Sequence, residues 1–159
     1  MVIRYRITIH YEVVIMKDKY IVYFISRTKD KMLHFIEKQL QKNGLDDLIP
    51  SHGNILTALY ENHDKLTMKQ IAKTIGKDKS TITPLVNKLM DLGYITREKN
   101  QMDKRVTYIM LTEKGKQMQT KFSGISNEVY RTAYKGFSVE EQKVFLRLLK
   151  KLNNNFDSV

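Results

Sequence analysis

Between Lys79 and Lys88 the chain carries Lys79, Ser80, Thr81, Thr83, Pro84, Asn87 and Lys88, interleaved with Ile82, Leu85, Val86, Leu89 and Leu92 at steps of three and four. At helical period the second set is one apolar stripe, and the first is the face left over. That face is small, polar and basic. Short hydroxyl and amide side chains offer hydrogen-bond donors and acceptors at close range, and lysines add positive charge. This is recognition chemistry, suited to a helix lying in the major groove of double-stranded DNA. Lys79 and Lys88, with Lys99 further on, are expected on phosphates, where they set affinity rather than sequence choice. Ser80, Thr81, Thr83 and Asn87 are expected at base edges, and Asn87 is able to pair bidentately with adenine.

Such a helix must be held in place, and the flanking sequence supplies the holders. Thr67 followed by Gln70 is a capping box, with Leu66 and Ile71 placed to close a hydrophobic staple across it. The helix begun there buries Ile71, Ala72 and Ile75, and Gly76 supplies the left-handed residue that ends it. Asp78 is a candidate cap for the second helix. After Gly93 the period changes from about 3.6 to 2, the mark of a switch from helix to strand. Tyr94 to Arg97 and Arg105 to Leu111 are the expected strands, with Val106, Tyr108 and Met110 sharing one face of the second. Glu98 to Lys104 between them reads as a polar wing, and Lys99, Lys104 and Arg105 make its tip basic. The fold class expected is mainly α with a small β-hairpin wing.

Charge agrees with this placement. The 159-residue chain has a formal net charge of +11, which favours a polyanionic partner. Between Leu66 and Lys116 stand eleven Lys and Arg against five Asp and Glu, so six of the eleven excess charges lie on under a third of the chain. There is no cysteine, which excludes disulfides, thiolate metal sites and a thiol redox switch. The four histidines are not at metal-ligand spacing, so no metal site and no cofactor are expected. No nucleophile elbow, phosphate loop or metal motif is present, and an enzyme is not expected. No apolar run approaches the roughly 18 residues of a membrane span. A soluble, cytoplasmic protein without membrane contact is the expectation.

Residues 1–15 stand apart, because Ile3, Tyr5, Ile7, Ile9, Tyr11, Val13 and Ile15 alternate with mostly polar neighbours. Two readings are open: a strand that needs a pairing partner, or an upstream extension before a natural start at Met16. Residues 16–159 then form the main domain. A helix from about Asp18 to Lys42, ended by Asn43-Gly44, has a wide apolar face including Met32, Phe35, Ile36 and Leu40. A shorter helix from Pro50-Ser51, with Ser51 as candidate cap, turns Ile55, Leu56, Leu59 and Tyr60 inward. Thr112 is expected to cap one long helix to about Lys135, bent or closely approached at Gly124. Ser138 and Glu141 form a second capping box before a last helix to about Asn155. The terminal helices carry more apolar surface than three reader helices could cover, which calls for a second copy of the chain.

The order of elements, and the strings LTMKQIAKTIGKDKSTITPLVNKLMDLGYITR, DKR at Asp103-Lys104-Arg105 and LTEKGK from Leu111, resemble the MarR (multiple antibiotic resistance regulator) family of transcription factors. The D-x-R wing followed by L-T-x-x-G is the most specific part. The resemblance implies a homodimeric winged helix-turn-helix, with the DNA-binding unit at about 50–112 and dimerisation helices at about 18–42 and 112–155. It implies a repressor on a pseudo-palindromic operator, released by a small aromatic or phenolic ligand. By the same resemblance Arg105 enters the minor groove and Asp103 braces the wing. Met32, Phe35, His34, His52 and Tyr60 lie on segments that could line a ligand cleft. Two departures matter: Pro84 removes an amide inside the reading helix and is expected to kink or loosen it, and the lack of cysteine separates this chain from the family's thiol-based peroxide sensors. The alternative is a winged helix that binds protein instead of operator DNA.

Overall fold

Local signals set most of the helix ends. Gln70 Oε1 accepts the Thr67 amide at 2.8 Å while Thr67 Oγ1 accepts the Gln70 amide at 3.3 Å, which satisfies two donors that a helix start leaves free. Ser138 and Glu141 repeat the exchange at 2.8 and 3.3 Å. Gly44 and Gly76 leave their helices in the left-handed region at φ 69° and 67°.

The computed structural model describes residues 20–157; the alternating segment 1–15 and its two readings lie outside the described residues. In order the elements are α1 (Ile21–Lys42), α2 (Pro50–Tyr60), β1 (Lys65–Thr67), α3 (Met68–Ile75), α4 (Lys79–Asp91), β2 (Ile95–Lys99), β3 (Thr107–Leu111), α5 (Glu113–Gln117), α6 (Gln119–Ala133) and α7 (Val139–Asn154). None of these helices is long and apolar enough to cross a membrane.

The expected two-stranded hairpin is a three-stranded antiparallel sheet in the order β1-β3-β2. β1 sets Leu66 opposite Ile109, and β2 sets Arg97 opposite the same residue. Three residues carry too little alternation to announce a strand; β1 exists because β3 has a free edge beside it. The buried residues of β3 are Ile109 and Leu111, so Tyr108 and Met110 make up its outer, half-buried side, while Arg105 and Val106, expected in the strand, fall in the loop before it.

Three further expectations shift. Ser51 does not cap α2, because the helix starts at Pro50 and the Ile49 amide donates to His52 Nδ1 at 3.1 Å. Asp78 holds the N-cap position of α4 with no side-chain hydrogen bond to the helix. The long helix after the wing is broken at Met118 and not at Gly124, around which a Cβ would meet nothing within 4 Å. Thr112 does cap α5, accepting the Gly115 amide at 3.1 Å.

One core joins these parts. Ile55, Leu56 and Leu59 of α2, Ile71 of α3, Ile82, Val86 and Leu89 of α4, and Ile109 of β3 are fully enclosed. Leu40 of α1 and Phe122 and Ile125 of α6 close it from the other side. α7 has no buried residue, and Tyr20 with the first turns of α1, Ile21, Val22, Tyr23, Phe24 and Ile25, is exposed.

Candidate DNA interface

Burying Ile82, Val86 and Leu89 against α2 and α3 fixes which way α4 faces. Its other side exposes Lys79, Ser80, Thr81, Pro84, Asn87 and Lys88, with Thr83 half-buried beside them. Thr83 Oγ1 donates to the Lys79 carbonyl at 2.7 Å, which spends its hydrogen and leaves its lone pairs free. α4 is a single helix across Pro84, so the proline removes one hydrogen bond to Ser80 without ending the element. At the far end Lys114 Nζ donates to the Leu92 carbonyl at 2.7 Å and lies 4.4 Å from the Tyr94 ring centre. A cation there complements the negative end of the α4 dipole.

The wing loop is organised by two side chains. Asn100 Oδ1 accepts the amides of Met102 and Asp103 at 2.8 and 3.2 Å. Asp103 Oδ1 accepts both the amide and Nε of Arg105 at 3.0 Å, and Oδ2 accepts Nη2 at 3.3 Å. The Arg105 guanidinium and then its amide hold the Asp103 carboxyl below the usual carboxylate range. Arg105 keeps 92% of its side chain in solvent, so it is aimed without being buried. Lys99 and Lys104 are exposed on the same hairpin.

Sequence reasoning missed two residues of this surface. Asn100 was legible, since asparagine accepting amides two and three residues on is an ordinary turn device. Arg97 was not. Its Nη2 donates to Asn87 Oδ1 at 2.8 Å, a tie from β2 to α4 that no local pattern encodes. It joins the reading helix to the wing strand on one surface.

None of the five residues suggested for a ligand cleft lines the cleft that lies between α1, α2 and α6. Met32 is exposed on α1. Phe35 is half-buried. His52 is enclosed with Nδ1 occupied by the Ile49 amide; burial first, and the Lys88 charge second, push its imidazole below its ordinary pKa. Tyr60 gives its hydroxyl hydrogen to the Gly115 carbonyl at 2.8 Å, and burial, Asp64 and Tyr94 push that hydroxyl up to about 12. His34 is exposed beside Glu37. A cleft of about 180 Å³ does lie between α1, α2 and α6, lined by Ile36, Leu40, Pro50, Gly53, Asn54, Thr57, Phe122, Ile125, Ser126 and Val129.

A sequence model of the MarR family matches residues 46–106. The HTH-type transcriptional regulator SarZ of Staphylococcus epidermidis is 32% identical over 105 residues, covering 66% of this chain and 70% of that protein. This chain belongs to the MarR family. As a MarR-family protein it is a DNA-binding transcription regulator and not an enzyme. Solved structures agree on the fold. The MepR–DNA complex of S. aureus superposes with a TM-score of 0.77 at 24% identity, covering 87% of this chain and 98% of that one. CouR from Rhodococcus jostii RHA1, solved with p-coumaroyl-CoA, gives 0.70 at 23% identity over 83% and 88% of the two chains. In this MarR-family chain the wing is the β2–β3 hairpin, completed at its base by β1.

Proposed function

We propose that the chain is a homodimeric repressor that holds a pseudo-palindromic operator, with α4 in the major groove and Arg105 in the minor groove. The observation that carries this reading is the joining of the exposed polar face of α4 to the wing strand through Asn87 and Arg97, next to an Arg105 aimed by Asp103. Lys79, Lys88, Lys99 and Lys104 contact phosphates; Ser80, Thr81, Thr83 and Asn87 face bases, with Pro84 shaping the surface between them. A guanidinium suits the narrow, electronegative minor groove of A-T-rich DNA. MepR, solved with DNA, shares the fold.

The second copy is supported by the exposed apolar residues of the two terminal helices. Val144, Phe145, Leu148 and Leu149 of α7, each between 41% and 49% exposed, and the aromatic start of α1 form surface that a monomer would leave in water. Contiguous exposed apolar surface of this kind marks a protein interface. Two readers on one dimer bind half-sites about one helical turn apart.

A small aromatic or phenolic effector fits the cleft between α1, α2 and α6. A dry protein cavity of about 150 Å³ holds benzene, so the space here accepts a single ring, with Asn54, Thr57 and Ser126 available to a hydroxyl. CouR, solved with an aromatic acyl thioester, shares the fold. Ligand pressing on α2 would act on the reader, since α2 and α4 share the core.

A gel shift with DNA from upstream of the protein's own gene, with and without excess nonspecific competitor, tests the reading. A shifted band that survives competitor supports operator binding. Loss of the band at the same competitor level as a scrambled probe would favour the protein-interaction alternative.

A further inference from the structure

Arg97 and Asn87 are both exposed, on different elements, and hydrogen-bonded at 2.8 Å. Ile95, two residues before Arg97, is buried; alternation along a strand therefore puts both side chains on the sheet face turned toward the helices. That face meets the side of α4 where Asn87 stands.

The chemistry of the pair fixes the orientation of the amide. A guanidinium has only donors, whereas an asparagine amide has one accepting and one donating side. The oxygen must face Arg97, because the flipped amide would set donor against donor. The group that Asn87 then presents outward is its NH2.

That changes what Asn87 can read. Bidentate pairing with adenine needs the amide oxygen to accept from N6 while the NH2 donates to N7. The clamp occupies the oxygen on the side facing Arg97 and leaves a donor beside the remaining N–H groups of the guanidinium. Guanine offers two acceptors, N7 and O6, on its major-groove edge. We propose that Arg97 sets base preference together with Asn87, orienting its amide and adding its own donors, so that the pair is a joint donor for a guanine edge in place of an adenine reader. The inference rests on the DNA-reading role given under Proposed function.

The test is DNA selection on the full chain as wild type, Asn87→Ala, Arg97→Met and Arg97→Lys, each followed by a salt titration on the selected sequence. The wild type is expected to select guanine at one position of each half-site. Asn87→Ala should lose that preference by about tenfold, the size of one good base contact. Arg97→Met should move the preference at the same position toward adenine and leave the rest of the motif intact. Arg97→Lys, which keeps a donor, should retain guanine. An Arg97→Met motif identical to wild type, with the salt slope smaller by about 0.9, would make Arg97 a phosphate contact and overturn the proposal. So would changes at different positions in the Asn87 and Arg97 variants. A wild type that selects no motif overturns the underlying DNA-reading role, a distinguishable result.

Discussion

Asp103 holds Arg105 at three points, with Oδ1 on its amide and Nε and Oδ2 on Nη2. The ion pair is exposed, and such pairs contribute little to folding. Its value is in aim, since it fixes a planar fork that would otherwise sample many rotamers. Arg105→Ala is expected to weaken operator binding by about 1–3 kcal/mol and to leave the urea midpoint nearly unchanged. Asp103→Ala should give a smaller loss in the same direction. Fluorescence anisotropy titrations beside denaturation curves measure both; an Arg105→Ala protein that binds like wild type would remove Arg105 from the interface.

Gly115 is the glycine of the LTEKG string, and its environment explains that residue physically. A Cβ there would lie 2.1 Å from the Tyr94 carbonyl oxygen and 3.1 Å from Leu111 Cδ2. Backbone cannot step aside as a side chain can, and overpacking of this kind costs about 1–3 kcal/mol or more. Gly115→Ala is expected to lower the urea midpoint sharply. Gly124→Ala should do the reverse by about 1 kcal/mol, the helix propensity difference, because a Cβ there meets nothing within 4 Å. Equal effects from the two substitutions would contradict the packing described around α5.

Tyr60 ties α2 to the same glycine through its hydroxyl, at 2.8 Å from the Gly115 carbonyl. Tyr60→Phe keeps the ring against Phe122 and removes only that bond. A loss of about 1 kcal/mol is expected in denaturant melts. No loss would mean that the carbonyl is satisfied equally well without the hydroxyl.

His52 makes stability depend on pH. Its folded pKa lies below the ordinary 6.5, through burial and then Lys88, so as pH falls below about 6.5 the unfolded chain binds a proton that the folded chain resists. Stability is therefore fully present above that value and declines below it. Protonation also converts Nδ1 from acceptor to donor, which breaks the bond from the Ile49 amide. His52→Gln retains an acceptor and does not titrate. Its melting temperature should fall less than that of wild type between pH 7.5 and 5.5, and parallel declines would exclude His52 as the cause.

What could be read from the sequence was what neighbours in the chain decide. Thr67 with Gln70, Ser138 with Glu141, and Gly76 act within one helical turn, and each does what its local pattern implied. The stripe Ile82, Val86 and Leu89 set the orientation of α4, so the polar face was legible with it. β1 was hidden because its pairing with β3 spans some forty residues of chain, with only three residues to signal it. The break at Met118 separates α5, which seats under Tyr94, from α6, which packs on α1, and no helical period records it. The lining of the cleft between α1, α2 and α6 was hidden for a related reason. Met32 and Phe35 share the apolar face of α1 with Ile36 and Leu40, and only packing shows which part of that face is covered.

Under the proposed function two copies of this chain clamp one operator, each reading a half-site with α4 and a wing arginine. DNA selection on the purified full-length protein tests it most directly. The expected result is a two-fold symmetric motif whose half-sites are centred about 10 base pairs apart, bound with an affinity that falls steeply with salt. A single asymmetric site, or no enrichment over random sequence, would contradict it.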